Sequence, residues 1–545
     1  MYRDSQDRSV FARMIAERLA CSPDIEPKIS IITPTWNTKC SWFEHLAVSV
    51  LQQTCIEWEW CIVDDCSSDT AFYDLLDRLG QLPNVNVTKL DRSHGISGAT
   101  NRGLALTTAP YVCFVDHDDV LTCDALGCIL EKHEQDFEAV YSDSDKINES
   151  GNRSEPFYKP DWSPELFRGV MYVGHLLSVR RELAIAAGGF DSRFDGVQDY
   201  EFFLRFSERT GRIGHISKIL YHWRTVPGSV AASADAKGDV GRLQQLAVQE
   251  QLTRLGVNAV ARRGDHPHRV RVAPSARTSW PKITIIIPTK DAPDLLSTCL
   301  YSLFSKTTYR NFDVICIDNE TTDKRALQEM RLAPVERIIF SGKFNFSKAN
   351  NVGRRFASSN YLVFMNNDVE VVTPEWLEEM LHYAEQDDVG AVGSMLLYPD
   401  QRVQHAGVVL GCRGTADHVL RHAPVNSDGY AGSLSCAREV SAVTAACLMT
   451  RAEVFDAVGG FNEHFFTAYQ DVDLCLKLRR LGKRIIFTPH AKLVHHESVS
   501  RGRYYDFVDR NLLLDYWEPL IKAGDPYYNP NFDVQACDYT LAAKQ

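Results

Sequence analysis

An internal duplication organises this sequence. The segment KISIITPT at residues 28–35 returns as KITIIIPT at residues 282–289, 254 positions later. Six further matches follow in the same order, among them YVCFVDHD at 111–118 against YLVFMNND at 361–368, and GGFD at 188–191 against GGFN at 459–462. Ordered matches at nearly constant spacing indicate a repeat of one structural unit. We therefore expect two units of the same architecture, near residues 28–232 and 281–503.

The length also favours two domains, because one hydrophobic core usually stops growing at about 250 residues and this chain has 545. Around the repeated units we expect an N-terminal helical extension at 1–27, with a helix near 10–19, and a C-terminal helical and aromatic extension at 504–545. Residues 233–280 should form a helix and a basic connector. We interpret the basic run at 262–271 as a solvated part of this connector, with an anionic docking patch as the alternative.

The pattern inside each unit predicts an α/β fold. In the first unit, short β-branched or aromatic runs at 29–33, 60–63 and 111–115 have strand length, while 43–53 and 122–136 carry apolar residues at helical spacing. Such alternation is typical of a mainly parallel, Rossmann-like sheet with right-handed crossovers. Ligands of these sheets bind at the carboxyl ends of the strands. The polar clusters of each unit fall at those ends.

Composition narrows the class of protein. A net charge of −12 argues against a general nucleic-acid binder, which needs surplus Lys and Arg to neutralise phosphates. The 15 cysteines are scattered and form no CxxC pair, which favours a reducing compartment. There is no signal-peptide pattern and no run near the ~20 apolar residues of a membrane span. We expect a cytoplasmic protein and leave open peripheral contact with the inner face of the cytoplasmic membrane, as well as the oligomeric state.

Carboxylates that follow a predicted strand suggest a metal site. Asp116 and Asp118 emerge together at one strand end, and hard oxygen ligands of this kind suit Mg²⁺ or Mn²⁺. A turn or a helix cap is the alternative for such a cluster. The second unit retains one carboxylate there, Asp368. His222 and His495 follow the last strand of each unit at equivalent points and are candidate further ligands.

One aspartate per unit is a candidate general base. Asp199 and Asp471 each open a helix-like run after a Gly-Gly-Phe turn. A single Asp in this place would be interpreted as a helix N-cap. Its recurrence at a matching distance from the post-strand cluster favours proton transfer instead.

The motifs ISIITPTWN, CIVDDCSSD, YVCFVDHDD, GGFD and QDYEFFLR resemble those of glycosyltransferase family 2. FNFSKANN, FMNNDVEV, VQHAGVVLG and HHESVSRG resemble a branch of that family found in bacterial polysaccharide assembly. The resemblance implies two tandem GT-A domains that invert the anomeric centre. It further implies Mn²⁺ or Mg²⁺ as cofactor and UDP-, dTDP- or GDP-sugars as donors.

The resemblance also assigns roles to residues. The implied nucleotide contacts are Pro34, Thr35, Asp64, Asp65, Pro288, Thr289 and Asp318. The implied metal or diphosphate contacts are Asp116, Asp118, His222, Asp368 and His495, and the implied bases are Asp199 and Asp471. The sequence departs from the family pattern at Gln198 and Gln470, where an acidic neighbour of the base is usual, and at Asn366, which replaces a carboxylate.

Three functional hypotheses follow. The first is an enzyme with two active sites of different specificity that extends a bacterial cell-surface glycan of the O-antigen or capsule type, free or lipid-linked. The second is one active domain joined to a degenerate copy that only binds the acceptor. The third, a nucleotidyltransferase, requires a basic glycine-rich loop after the first strand, and residues 33–37 (TPTWN) do not form one.

Overall fold

The computed structural model describes residues 13–15, 25–225, 239–496 and 503–543. Most of the predicted helix at 10–19 lies outside these residues, although 13–15 are helical. The chain divides into two compact units. The first comprises Met1–Trp162 and Met171–Gly256, and the second comprises Ser163–Val170 and Val257–Gln545.

Strands and helices alternate through the first part of the chain, as predicted. The strands are β1 (Ile29–Thr35), β2 (Trp58–Asp64), β3 (Val85–Lys89), β4 (Tyr111–Phe114), β5 (Val120–Leu121), β6 (Ala139–Ile147), β7 (Arg153–Phe157), β8 (Leu177–Arg180) and β9 (Ile213–Arg224). The helices are α1 (Cys40–Leu51), α2 (Thr70–Leu79), α3 (Gly95–Leu106), α4 (Ala125–His133), α5 (Pro164–Gly169), α6 (Arg181–Ala186), α7 (Gln198–Ser207) and α8 (Val240–Arg254). Of these, α5 belongs to the second unit.

The second unit repeats this series and adds further strands. Its strands are β10 (Ala259–Arg263), β11 (Val270–Pro274), β12 (Ile283–Thr289), β13 (Phe312–Asp318), β14 (Glu336–Ile339), β15 (Tyr361–Met365), β16 (Val369–Val371), β17 (Val389–Leu397), β18 (Val403–His405), β19 (Val408–Leu410), β20 (Ala416–His418), β21 (Arg438–Glu439), β22 (Cys447–Arg451) and β23 (Arg484–His495). Its remaining helices are α9 (Pro293–Lys306), α10 (Lys324–Leu332), α11 (Phe346–Phe356), α12 (Trp376–Ala384), α13 (Ala452–Ala457), α14 (Gln470–Arg480) and α15 (Arg503–Lys522).

The two large sheets have the same topology. The first runs β3-β2-β1-β4-β8-β6-β9-β5 with β7 paired to β6, and the second runs β14-β13-β12-β15-β22-β17-β23-β16 with β18 paired to β17. In both, the first four strands of that order are parallel to one another. Identical strand order in two halves of one chain confirms the duplication and the α/β fold class.

Burial explains why the central strands have their sequences. Every residue of β12, which reads ITIIIPT, is buried, and β1 is buried except at Pro34. A parallel strand covered by helices on both faces has no solvent side, so its sequence is a continuous apolar run instead of an alternating one. The apolar runs that mark the repeat are therefore the centres of the two cores.

The connector is more ordered than the sequence analysis suggested. β10 and β11 form an antiparallel hairpin. Two of its basic side chains make ion pairs in the second unit, Arg269 with Asp428 at 2.6 Å and Arg271 with Glu379 at 2.6 Å. The basic run is thus partly an anchor for the hairpin, since carboxylates far along the chain meet it.

The C-terminal extension contains the predicted helix, now seen as α15. Beyond it, Cys537 forms a disulfide with Cys412, at a Cα separation of 6.0 Å. No local sequence motif predicts this disulfide, because 125 positions separate the two cysteines. Within the described ranges, no helix is both long enough and apolar enough to cross a bilayer.

Candidate functional site

The ends of β1 and β2 hold the predicted nucleotide contacts of the first unit. Thr35, which follows Pro34, is the register partner of Asp64, and its hydroxyl donates to Asp64 Oδ1 over 3.0 Å. Asp64 also accepts bonds from the Ser67 amide at 2.9 Å and from the Ser67 hydroxyl at 2.5 Å. The fold therefore gathers these residues at neighbouring strand ends, with Asp64 fully buried.

Asp65 orders the loop in front of α3. Its carboxylate accepts bonds from the Ser93 hydroxyl at 2.6 Å and from the amides of His94 and Gly95 at 2.6 and 2.9 Å. Gly95 begins α3, so this carboxylate satisfies amides that no helical carbonyl can reach. Asp65 thus has a structural task that the sequence analysis did not assign to it.

The corresponding edge of the second unit differs. Thr289, which follows Pro288, is again the register partner of an aspartate, Asp318. Arg337 bonds Asp318 Oδ2 through two nitrogens, with Nε at 2.8 Å. Although burial works against it, hydrogen bonds and the Arg337 guanidinium lower the pKa of Asp318. Asn86 stands at this register position in the first unit, so the ion pair is not shared by the repeat.

The two post-strand carboxylates of the first unit lie close together. Asp116 Oδ2 is 3.3 Å from His175 Nε2, and its side chain is 37% exposed, against 21% for Asp118. Burial raises the pKa of Asp118, and the charge of Asp116 raises it further. Carboxylates that hinder each other's ionisation favour a bound cation between them.

His175, which the sequence analysis did not single out, lies at the centre of this acidic cluster. Its ring stacks on Tyr221 with centroids 5.0 Å apart. Burial alone would lower the pKa of His175, but the Asp116 carboxylate outweighs it, and with smaller contributions from Asp119 and Asp199 the pKa rises to about 9. The imidazolium therefore balances part of the negative charge around it.

Asp199 shares this environment. It lies in the first turn of α7, and its Oδ1 accepts the Tyr200 amide at 2.8 Å. Burial raises the pKa of Asp199, His175 opposes the shift, and Asp116 adds to it. The charge of His175 thus acts on the predicted base as well as on one predicted metal ligand, with which it pairs directly.

The Gly-Gly-Phe turn that precedes this helix is built alike in both units. Gly189 and Gly460 have φ angles of +64° and +69°. A Cβ on Gly189 would lie 2.3 Å from Oδ1 of Asn101, and a Cβ on Gly460 would lie 2.7 Å from Oδ1 of Asn351. Left-handed backbone and a close side-chain approach both require glycine here.

Asp471 lies in the first turn of α14, in the place that Asp199 has in α7. Its Oδ2 accepts the Ala445 amide at 3.0 Å. The next residue, Ala446, accepts the Asn366 amide through its carbonyl at 3.1 Å. The backbone at 445–446 therefore connects the predicted base with the post-strand cluster.

Neighbouring positions of the same segment lie beside the predicted base and the post-strand cluster in the two units. Arg180 pairs with Tyr111, and Arg451 pairs with Tyr361, at matching points of the repeat. His175 and the alanine at 446 each precede those arginines by the same interval. The connection is made by a side chain in the first unit and by the backbone in the second.

The C-terminal helix orders the loop that leads into α14. Asp509 of α15 is fully buried and accepts the amides of Phe466, Thr467 and Ala468 over 2.9–3.2 Å. The apolar and aromatic pattern of this extension favours packing against the domains, with membrane contact or dimerisation as the alternative, and does not indicate a contact of this kind. An aspartate far along the chain gives no local signal that it binds a loop of the repeated unit.

His222, a predicted late metal contact, lies near the end of β9. It pairs in register with Val120, and His495 pairs with Val369, so each histidine lies opposite the residue directly after its acidic loop. His222 Nδ1 is 2.6 Å from Asp145 Oδ1. Donation of Nδ1–H to this carboxylate leaves the lone pair on Nε2, and no described residue bonds that atom.

His495 has the same tautomer through a different partner. Its Nδ1 is 2.7 Å from Gln404 Oε1, and because an amide oxygen only accepts, Nδ1 carries the proton. Nε2 lies 3.2 Å from Asp368 Oδ1 and 3.2 Å from Asn366 Nδ2. The Asn366 amide donates to this lone pair, whereas the Asp368 oxygen faces it as a second acceptor.

These donor sets fit a divalent cation. Carboxylate oxygens beside a neutral imidazole nitrogen suit Mn²⁺ or Mg²⁺, and a hydrogen-bonded Nδ1 orients a ligating imidazole. Within the described part of the chain, no three His, Cys, Asp or Glu side chains are grouped closely enough to hold a metal ion by themselves. Oxygens of a bound diphosphate would have to complete the coordination.

Two sheets of identical order, each with such a polar cluster at its strand ends, define a protein of two tandem GT-A domains. A family model described as "Glycosyl transferase family 2" matches residues 30–192 and 284–457. The chain belongs to that family, as its motifs predicted.

Two relatives match almost the whole chain, and a third matches less than half of it. It is 37% identical over 541 residues to the uncharacterized protein y4gI of Sinorhizobium fredii, covering 95% of this chain and 59% of that protein. It is 37% identical over 533 residues to the O-antigen biosynthesis protein RfbC of Myxococcus xanthus, covering 94% and 41%. A chondroitin synthase of Escherichia coli is 29% identical over 236 residues, covering 42% and 33%. The chain spans about half the length of the first two relatives.

Proposed function

We propose that this chain transfers sugars from nucleotide-diphosphate donors to hydroxyls of a bacterial cell-surface glycan, at two separate inverting sites. Membership of glycosyl transferase family 2 supports the reaction. Two relatives, an O-antigen biosynthesis protein and a chondroitin synthase, support a polysaccharide as acceptor. The whole protein's donors and linkages belong to this proposal as well.

The proposal of two active sites depends on one observation, the equivalent placement of Asp199 and Asp471. Each lies in the first turn of a helix that follows a clamped Gly-Gly-Phe turn. In the second unit Asp471 accepts the Ala445 amide, and the neighbouring Ala446 carbonyl accepts the Asn366 amide. In the first unit the charge of His175, which pairs with Asp116, opposes the rise in the pKa of Asp199. A degenerate copy under no selection for catalysis would have no reason to retain this arrangement.

The proposed chemistry is a direct displacement. The acceptor hydroxyl attacks the anomeric carbon from the face opposite the nucleotide, the bond from that carbon to the diphosphate oxygen breaks, and the configuration inverts. The aspartate takes the hydroxyl proton as the new bond forms. The raised pKa of Asp199 suits this task, because a base works best when its pKa approaches the operating pH.

The remaining residues hold and orient the substrates. Asp116, Asp118 and His222 in the first domain, and Asp368 with His495 in the second, would hold a divalent cation. When bound, the cation stabilises negative charge on the departing diphosphate. His175 pairs with Asp116 at 3.3 Å, and its positive charge also favours the ionised form of Asp199.

A degenerate second domain that binds only the acceptor is the second candidate. The Asp318–Arg337 ion pair favours it, because the carboxylate expected to meet a nucleotide is already engaged. Asn366 in place of a carboxylate points the same way.

Single substitutions at the two bases discriminate these candidates. Purified wild type, Asp199→Asn and Asp471→Asn are assayed with a panel of UDP-, dTDP- and GDP-sugars, and Asp74→Asn on the exposed face of α2 serves as control. With two active sites, each variant loses transfer from a different donor or at a different step. Loss of all transfer in one variant and none in the other would leave one active domain. Retention of full transfer in both would refute the proposal.

A further inference from the structure

His222 and His495, the two histidines of the proposed cation sites, have different hydrogen-bond partners at Nδ1. Asp145 lies on β6, directly opposite His222 in the register. Tyr398 follows the matching strand of the second unit, where Leu397 pairs with Val494 as Ser144 pairs with Tyr221. Gln404 of β18 bonds His495 instead. The second domain therefore replaced a charged partner by an amide from another strand.

This difference changes the strength of the imidazole as a ligand. A carboxylate that accepts Nδ1–H makes Nε2 more basic, and removing such a partner typically weakens metal binding 10- to 100-fold. An amide oxygen orients the ring but brings no negative charge. Arg153 also bonds Asp145, at 2.6 Å, but its side chain is half exposed, so water screens its charge.

Two further features act in the same direction. The first cluster contains Asp116 and Asp118, whereas the second contains Asn366 and Asp368, so the second offers one carboxylate ligand fewer. The His175 imidazolium beside Asp116 offsets part of the charge difference but not the difference in ligand number. The Asn366 amide also lies 3.2 Å from His495 Nε2, so a cation that uses this nitrogen must displace a hydrogen bond. No described residue bonds Nε2 of His222.

We infer that Asp145 and Gln404 set unequal cation affinities, so that the first domain binds a divalent cation more tightly than the second. The inference rests on the proposed function, since it takes these clusters as the cation sites. It assigns Asp145 and Gln404 as positioning residues that act through His222 and His495. At low free cation, the first domain is then loaded while the second is not.

Mn²⁺ binding to the full-length protein tests this without any measurement of transfer. Free and bound Mn²⁺ are distinguished by electron paramagnetic resonance over a Mn²⁺ titration in the presence of UDP, dTDP or GDP, whose diphosphate supplies the remaining ligands. A titration without protein gives the reference for Mn²⁺ bound to the nucleotide alone. We expect two classes of site, one per domain. Asp145→Asn should weaken the tighter class 10- to 100-fold and leave the weaker class unchanged. Gln404→Glu should tighten the weaker class and leave the other.

Asp161→Asn is the matched control. Asp161 bonds His215 Nδ1 at 3.1 Å in the first unit. The substitution therefore also removes a carboxylate that bonds a histidine, but this histidine is not His222. Circular dichroism confirms that each variant is folded, and a misfolded Asp145→Asn leaves Gln404→Glu as the deciding variant.

Three outcomes would each overturn the inference. They are equal Mn²⁺ affinities of the two sites in the wild type, unchanged Mn²⁺ binding in both a folded Asp145→Asn and Gln404→Glu, and no bound Mn²⁺ at all. These outcomes are separate from the transfer assay. Transfer without graded Mn²⁺ binding removes only this inference, and graded binding without transfer removes only the proposed function.

Discussion

Replacing one asparagine should loosen the Gly-Gly-Phe turn of one unit and spare that of the other. Asn101 holds Phe190 by both backbone groups, with Nδ2 donating to the carbonyl and Oδ1 accepting the amide, each at 2.8 Å. Asn351 holds Phe461 in the same way, at 2.9 and 3.0 Å. Each clamp fixes the turn from which the chain enters the helix with the proposed base.

The size of the effect follows from the two lost bonds. A net hydrogen bond contributes about 0.5–1.5 kcal/mol, so Asn101→Ala should cost the turn about 1–3 kcal/mol. Since about 1.4 kcal/mol corresponds to a factor of ten, local opening should become about 5- to 140-fold more frequent. Hydrogen exchange of the Phe190 amide should accelerate by that factor, because Oδ1 of the asparagine is its acceptor.

Hydrogen exchange with mass spectrometry resolves the two turns in one molecule. In Asn101→Ala the peptide around Phe190 should exchange faster while the peptide around Phe461 stays as in the wild type, and Asn351→Ala should give the reverse. Arg102→Ala, at the exposed neighbour of Asn101, controls for the change in the helix. Unchanged exchange at Phe190, or equal acceleration of both turns, would refute the clamp.

Two further predictions concern the second domain. Arg484 pairs with the buried carboxylates of Glu165 and Glu439 at 3.2 and 2.5 Å. Because Arg484→Met leaves both without this shared partner, it should lower the free energy of unfolding, measured by urea denaturation, by about 3–5 kcal/mol. A loss below about 1 kcal/mol would show that this network is not stabilising. In Asp509→Ala, three amides of the loop that leads into α14 lose their acceptor. The rate of the transfer that depends on Asp471 should therefore fall more than the rate of transfer by the first domain. An equal fall in both rates would contradict the role of Asp509 in ordering this loop.

The architecture was predictable because it depends on local patterns. The apolar runs at 29–33 and 283–287 mark the buried central strands, and their repetition announced two sheets of one order. Strand ends were predictable for the same reason, so Asp116, Asp118 and Asp368 fall where a parallel sheet collects ligands. Residues repeated in both units could be recognised as a set.

The partners of these residues were not predictable. His175 has an alanine at its repeat position, so comparison of the units gives no signal for it. Asp145 and Gln404 come from different strands and are not aligned by the repeat. The Arg337–Asp318 pair likewise joins side chains that only the register brings together. Contacts between distant segments decide the tuning of each site, and no spacing in the sequence encodes them.

The decisive measurement is anomalous diffraction at the manganese edge, because it locates each bound cation. Crystals are grown with Mn²⁺ and each of UDP, dTDP and GDP, and the maps show whether one chain has two cation-dependent sites. We expect two peaks, one beside Asp116, Asp118 and His222 and one beside Asp368 and His495, and the first should appear at a lower Mn²⁺ concentration. Peaks remote from these residues, or a nucleotide bound in neither domain, would contradict it.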